Sequence, residues 1–383
     1  MSLDVLFISS KGSQYRYYKT LAKNTLFKAR VVTLFPGFGF KIFNTGLNKK
    51  VINEGLDFHL ERKKRKYSNQ FPNAFVMKVY TAFSALYFSL IYLKFRRYLT
   101  SHRPKNICIW NGHRLPEMAV KAAARGLDIK IFYFENGLIP NTTVMDSSGV
   151  NAFSSLPKDP NFYLEYAKQS TDKVDCLENK SLVARKPHKS RKKLRFSEAD
   201  LNKRYVFVPF QVNFDSQVIV NSPVVNSMHK LYEFVELLLQ ETPSDLLFYI
   251  KEHPSDSHTY SELHKKHDRI QFVDENTEEL IRNADAVLTL NSSVGIEASM
   301  LGKPVIVLGN ACYAIQKLVY VSTSFRQVAE ILNNLEQPDQ KVRQAFFSYL
   351  ENKYLLPGAW QNYQRNIDSK HLECFENKIK GDF

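Results

Sequence analysis

His253 and the pair Ser292 and Ser293 are residues of types that hold anions. An imidazole donates from a ring nitrogen and gains a positive charge when a phosphate raises its pKa, and serine hydroxyls add donors with little bulk. His253 lies in Lys251-Glu252-His253-Pro254, directly after an apolar run at 246–250 that reads as a strand. Ser292 and Ser293 follow Asn291, between a strand pattern at 286–290 and a helix pattern from about 294 to 301 that Gly302 and Pro304 end. With a further strand pattern at 305–308 this is a βαβ unit. Open parallel sheets bind ligands at the carboxyl ends of their strands, and a helix start offers unpaired N–H groups and the positive end of its dipole. The expected chemistry is therefore the holding of a phosphate, with Gly295 leaving room for close approach. Without any ligand, the serines would still cap the helix, and His253 would be a hydrogen-bonded loop residue.

Two carboxylates follow strand patterns in different halves of the chain, Glu135 and Asp215, and are expected to face each other across a cleft. Asp215 precedes Ser216 and would also serve as a helix or turn cap, Glu135 as an ion-paired loop residue, and Asp146 as either a cap or a minor catalytic candidate. The chain has no Asp-x-Asp, the usual seat for a metal on a nucleotide diphosphate. A leaving phosphate is then expected to be neutralised by protein groups, with no metal.

The elements that position these residues alternate. Strand patterns at 3–9, 30–35, 106–110 and 130–134, with helices near 15–23 and 116–125, give the βα alternation of a parallel sheet. A second series has strands at 205–210, 246–250 and 270–273 and helices near 227–240 and 277–283, and ends in the unit described above. The 383 residues, 44% hydrophobic and 13% aromatic, suffice for two cores. Expected boundaries are a first domain at 1–158, a polar basic linker at 159–201, a second domain at 202–330 and a helical tail at 331–383 that packs back across the domains. The outline is that of a GT-B glycosyltransferase, with two Rossmann-like domains and a cleft between them.

Four scattered cysteines (Cys108, Cys176, Cys312, Cys374) read as packing thiols in a reducing compartment. Met1 leads directly into a strand pattern with no basic n-region, so a cytoplasmic protein is expected. Lys and Arg exceed Asp and Glu by 53 to 38, concentrated at 62–66 and 185–195. With no nucleic-acid signature, the expected partner of these runs is an anionic inner-membrane surface, with solvated loops as the plain alternative. Residues 71–99 read as a long helix. Its longest uncharged stretch, 79–93, is 15 residues, short of the ~20 of a membrane span. It is expected either as a buried helix or as a greasy surface that rests on the bilayer beside the basic run.

Six motifs in order carry a resemblance: Trp110-Asn111-Gly112; Phe134-Glu135-Asn136-Gly137; Gly149-Val150-Asn151; Val208-Pro209-Phe210-Gln211 with Asp215-Ser216-Gln217; Lys251-Glu252-His253-Pro254; and Asn291-Ser292-Ser293-Val294-Gly295-Ile296-Glu297-Ala298. The series resembles the bacterial capsule polysaccharide biosynthesis family, which includes the retaining β-Kdo transferases of capsule and O-antigen assembly. The resemblance implies that His253, Ser292 and Ser293 grip the phosphate of a CMP-sugar, with Lys251, Asn291 and Gln211 beside them. It further implies that Glu297 bonds the ribose, that Asp215 is the nucleophile and that Glu135 acts from the other side. Asn111 and Arg114 are the acceptor or sugar candidates. The implied function is transfer of Kdo from CMP-Kdo, with no cofactor, to a surface glycan or lipid-linked acceptor. A sialyltransferase-like enzyme and a non-catalytic capsule-assembly scaffold are the competing readings.

Overall fold

The structure is a computed structural model that describes residues 3–34, 46–67, 73–170, 182, 196, 198–264 and 266–381. It divides into two units, Met1–Ser155 with Tyr354–Phe383, and Leu156–Lys353.

The first unit is built on β1 (Val5–Ser9), β2 (Ala29–Thr33), β3 (Asn106–Trp110), β4 (Lys130–Asn136), β5 (Thr142–Asp146) and β12 (Leu355–Pro357), in the order β12-β5-β4-β3-β1-β2. The strands β2, β1, β3 and β4 are parallel, while β5 and β12 are antiparallel additions at one edge. Every residue of β1 and β3 is buried, as expected of central strands covered on both faces. The unit's helices are α1 (Gly12–Asn24), α2 (Lys49–Lys66), α3 (Ala74–His102), α4 (Glu117–Ala124) and α12 (Ser369–Lys380). Helix α12 packs on α1 and the sheet: Phe375 lies 5.8 Å from the Phe7 ring, and the His371 imidazole bonds both the Tyr17 hydroxyl at 2.7 Å and the Pro357 carbonyl at 2.6 Å.

The second unit holds β6 (Tyr205–Pro209), β7 (Leu247–Lys251), β8 (Ile270–Phe272), β9 (Ala286–Thr289), β10 (Val305–Val307) and β11 (Tyr320–Val321), all parallel, in the order β11-β10-β9-β6-β7-β8. Its helices are α5 (Pro160–Gln169), α6 (Ser216–Asn221), α7 (Met228–Leu238), α8 (Thr277–Asn283), α9 (Ser293–Met300), α10 (Phe325–Asn333) and α11 (Gln340–Tyr349). The apolar sides of α7 and α10 close one face of the sheet over Val206, Val208, Phe248, Ile250, Leu288 and Ile306.

Two local expectations differ from the structure, and a third falls partly outside the described residues. Residues 159–169, expected in the linker, form α5, which starts at an Asp159 cap with Pro160 in its first turn and packs its Tyr163 ring on Phe346 and Tyr349 of the α11 region. The tail is not one helical unit: α10 and α11 belong to the second unit, and the chain after residue 353 supplies a strand and a helix to the first. The basic residues at 62–66 end α2, whereas those at 185–195 lie outside the described residues.

Candidate functional site

In the second unit the loops after β6, β7 and β8 and the start of α9 surround a cavity of about 300 Å³. Lys251, His253 and Glu297 all line it, together with Phe210, Asn276 and Val294. The Ser255 N–H donates to His253 Nδ1 at 3.0 Å, which leaves the hydrogen of the neutral ring on Nε2 as a donor. The Lys251 ammonium bonds the Glu275 carbonyl and stands 3.7 Å from Asp274, so it is held against the loop after β8. The other acids of the lining are engaged as well: Glu278 with Arg282 at 2.7 Å and the Leu182 N–H at 3.0 Å, and Glu252 with His264 at 3.1 Å and the Tyr260 N–H at 3.2 Å.

Ser292 caps α9, accepting from the Val294 N–H at 3.2 Å, and is buried, while Ser293 is exposed on the first turn. Both stand at the helix start; the cavity wall itself is formed by the next residue, Val294, and by Glu297 one turn on. Gly295 is required by a protein group rather than a ligand. A Cβ there would lie 2.3 Å from the Tyr313 hydroxyl, which donates to the Ser292 carbonyl. Gln211 and Asn291 bond each other, Gln211 Nε2 to Asn291 Oδ1 at 3.0 Å, and the Asn291 amide also donates to the Gln217 carbonyl at 2.9 Å. They lock the strand ends of β6 and β9 together and thereby position the Ser292 cap.

Asp215 caps α6 through Oδ1, which accepts from the Gln217 N–H at 3.0 Å and the Ser216 hydroxyl at 3.2 Å. Its loop is braced from β7's side by a residue that the sequence reading passed over. The buried Asp256 carboxylate accepts from the Asn213 N–H (3.1 Å), the His258 N–H (3.0 Å) and Nδ1 (3.2 Å), and the Tyr260 hydroxyl (3.1 Å). The His258 ring in turn lies 5.9 Å from that of Phe214. Burial pushes the Asp256 carboxyl up, but the bonds from His258 and from the two N–H groups together bring it below the ordinary carboxylate range. The bond to Asp256 raises His258, against the opposing effect of burial. The signal in the sequence was Asp256 three residues after His253, a spacing that suits a turn.

In the first unit the corresponding strand ends carry Asn111 and Glu135. Asn111 takes a left-handed backbone (φ 59°), and its amide donates to Glu135 Oε2 at 2.8 Å; Glu135 Oε1 accepts from the Asn136 N–H at 3.0 Å. Arg114 follows in the turn before α4, where burial raises the neighbouring Glu117 against smaller lowering effects of the Ser10 bond and of the Arg114 charge. Glu117 accepts from the Ser10 hydroxyl at 2.6 Å, so it joins the ends of β1 and β3. Asp146 is structural: its two oxygens accept from the Ser148, Gly149 and Ser155 N–H groups and from the Ser155 and Tyr354 hydroxyls, at 2.6–3.2 Å. Among the described residues no three His, Cys, Asp or Glu side chains gather as metal ligands.

The profile described as "Capsule polysaccharide biosynthesis protein" matches residues 105–193 and 173–360. Protein FixF of Sinorhizobium fredii is 33% identical over 326 residues, 84% of this chain and 78% of FixF. The chain belongs to the capsule polysaccharide biosynthesis family. The capsule polysaccharide export protein KpsS of Escherichia coli is 28% identical over 285 residues, 60% of this chain and 72% of KpsS. Among solved structures, the β-Kdo 2,7 transferase KpsC of Thermosulfurimonas dismutans matches with a TM-score of 0.52 across 99% of this chain and 100% of that one, at 15% identity. The capsule-family chain therefore has the expected GT-B-like fold with two Rossmann-like sheets. Glu135, Asp215, His253 and Ser292 all fall inside the family match, whereas α2 and α3 precede it.

Proposed function

We propose that this capsule-family protein is a retaining glycosyltransferase that moves Kdo from CMP-Kdo onto a bacterial surface glycan or a lipid-linked acceptor. The observation that carries the reading is the convergence of Lys251, His253 and Glu297 on one cavity beside the start of α9. A single phosphate suits that place. The His253 Nε2 hydrogen, the Lys251 ammonium and the helix N–H groups are cationic or donating, while Glu297, one turn along, suits the hydroxyls of a ribose. CMP is a good leaving group, which asks little of a general acid.

Retention takes two inversions. In the first, an Asp215 oxygen attacks the anomeric carbon, the bond to the phosphate oxygen breaks, and CMP leaves with that electron pair. In the second, the acceptor hydroxyl attacks the same carbon, Glu135 takes its proton and the Asp215 carboxylate is released. The capping bonds of Asp215 make the test specific. Asparagine caps as well as aspartate does, so Asp215→Asn keeps α6 and removes the nucleophile. That variant should melt like wild type, bind CMP and release essentially none from CMP-Kdo. With Glu135→Gln, intact-protein mass spectrometry should show a Kdo adduct that peptide mapping assigns to Asp215. An adduct elsewhere, or near-normal turnover by Asp215→Asn, would overturn the mechanism. Faster CMP release from CMP-sialic acid would replace the donor, and no release with any acceptor would favour a scaffold.

A further inference from the structure

Helix α3 lies half inside and half outside the core of the first unit. Its carboxyl half is packed: Phe88, Ile91, Phe95 and Leu99 are fully buried. Its amino half turns Phe75, Val76, Val79, Phe83, Leu86 and Tyr87 to solvent, with Phe75 69%, Phe83 67% and Leu86 57% exposed. At ~100° per residue these six fall within about 120° of arc, on the side opposite the buried row. Scattered exposed apolar residues are ordinary; a continuous row marks a contact surface.

The neighbouring helix supplies charge. Helix α2 approaches α3 closely at Gly55, where a Cβ would lie 2.1 Å from the Phe88 ring, and His59 bonds the Tyr80 hydroxyl at 2.7 Å. The last turn of α2 carries Lys63, Lys64, Arg65 and Lys66, and the Lys63 ammonium stands 5.4 Å from the centre of the Tyr80 ring, beside the exposed half of α3. Arg65 is paired with Glu61 at 3.0 Å, Lys78 adds an exposed cation, and α3 contains no acid in its 29 residues.

We propose that the amino half of α3 and the last turn of α2 form a docking surface for an anionic lipid bilayer. The apolar row enters at the depth of the headgroups and upper acyl chains, and Lys63, Lys64, Lys66 and Lys78 meet the lipid charge. Charge complementarity selects this occupant, because a second copy of the chain would bring the same basic turn and no acid on α3 to oppose it. The exposed part, residues 74–87, is ~21 Å long and continues into a packed core, so it rests in the interface and does not reach across the ~30 Å of hydrocarbon.

Flotation of the full-length protein with phosphatidylcholine vesicles, alone or mixed with phosphatidylserine, tests this without reading donor chemistry, so either proposal can fail alone. Binding should require phosphatidylserine and weaken with salt. It should fall about tenfold or more in Phe75→Ser/Phe83→Ser/Leu86→Ser and in Lys63→Glu/Lys64→Glu/Lys66→Glu. Both variants should melt as wild type does, since the altered side chains leave the core intact. No flotation of the wild type, indifference to phosphatidylserine, or unchanged binding by both variants would overturn the proposal. So would light scattering that showed the serine variant dissociating a dimer while still floating, because the row would then be a contact between copies.

Discussion

Single residues at the proposed donor site have separable duties, and their burial says how to tell them apart. Ser292 is a buried cap, whereas Ser293 is exposed on the same turn. Loss of the Ser292 hydroxyl should cost about 1 kcal/mol of stability through the lost cap, plus whatever it gives the ligand. Ser293→Ala and His253→Ala should each weaken CMP by about tenfold, the worth of one hydrogen bond to a charged group. Calorimetry with CMP and thermal melts on the three variants separate these effects. Equal CMP affinity in Ser293→Ala, His253→Ala and wild type would move the phosphate elsewhere.

At the scale of elements, the loops after β6 and β7 are held together by Asp256. Removing its carboxylate leaves the Asn213 and His258 N–H groups, the His258 ring and the Tyr260 hydroxyl without their acceptor. Asp256→Ala should therefore destabilise the second unit by roughly 3–5 kcal/mol, the usual cost of breaking a buried pair. Both partners titrate. His258 is raised, so its contribution is complete below its unfolded value of about 6.5 and is lost as pH climbs through the folded value. Asp256 is lowered, so its contribution is present above about 3.9 and is lost as pH falls through the folded value. The window of full strength is between those limits. His258→Phe should show its largest melting deficit near pH ~6 and a smaller one by pH ~9; a deficit that grew with pH would refute the pairing.

Across the whole molecule, the two units should respond differently to acid. In the first, His59, His113 and His371 are each pushed down to about 4, chiefly by burial, and for His59 and His113 also by nearby Lys or Arg charge. Each is neutral when folded and takes up a proton more readily when unfolded, so stability is lost as pH falls from about 6.5 towards 4. Over the same range the Asp256–His258 pair of the second unit stays charged. Scanning calorimetry from pH ~7 to ~4.5 should show a transition of the first unit moving down ahead of the second. His371→Phe should remove part of that slope at the cost of its bonds to Tyr17 and Pro357. A first unit more acid-resistant than the second would contradict the assignment.

How much of this was legible in the chain depends on whether the cause was local. Buried parallel strands are continuous apolar runs, and caps are short polar signals, so 106–110, the βαβ unit at Ala286–Val307 and the Ser292 cap could be read directly. The ordered motifs likewise pointed to the family. The strands β5 and β12 could not be read. Thr142–Asp146 and Leu355–Pro357 are short, and they are strands through tertiary pairing: the first pairs antiparallel with β4, and the second with the first across more than 200 residues of chain. The same holds for roles. Gly295 makes room for Tyr313, Gln211 joins Asn291, and Asp146 accepts from Tyr354, and each of these partners is distant in sequence. The composition of α3 allowed a core helix or an exposed apolar surface; the burial of Phe88 and Phe95 and the exposure of Phe75 and Phe83 divide it, with its carboxyl half in the core and its amino half facing solvent. Types, periodicity and order were properties of the sequence by itself, while which face is covered and which lone pair is already taken were decided by what folding brought alongside.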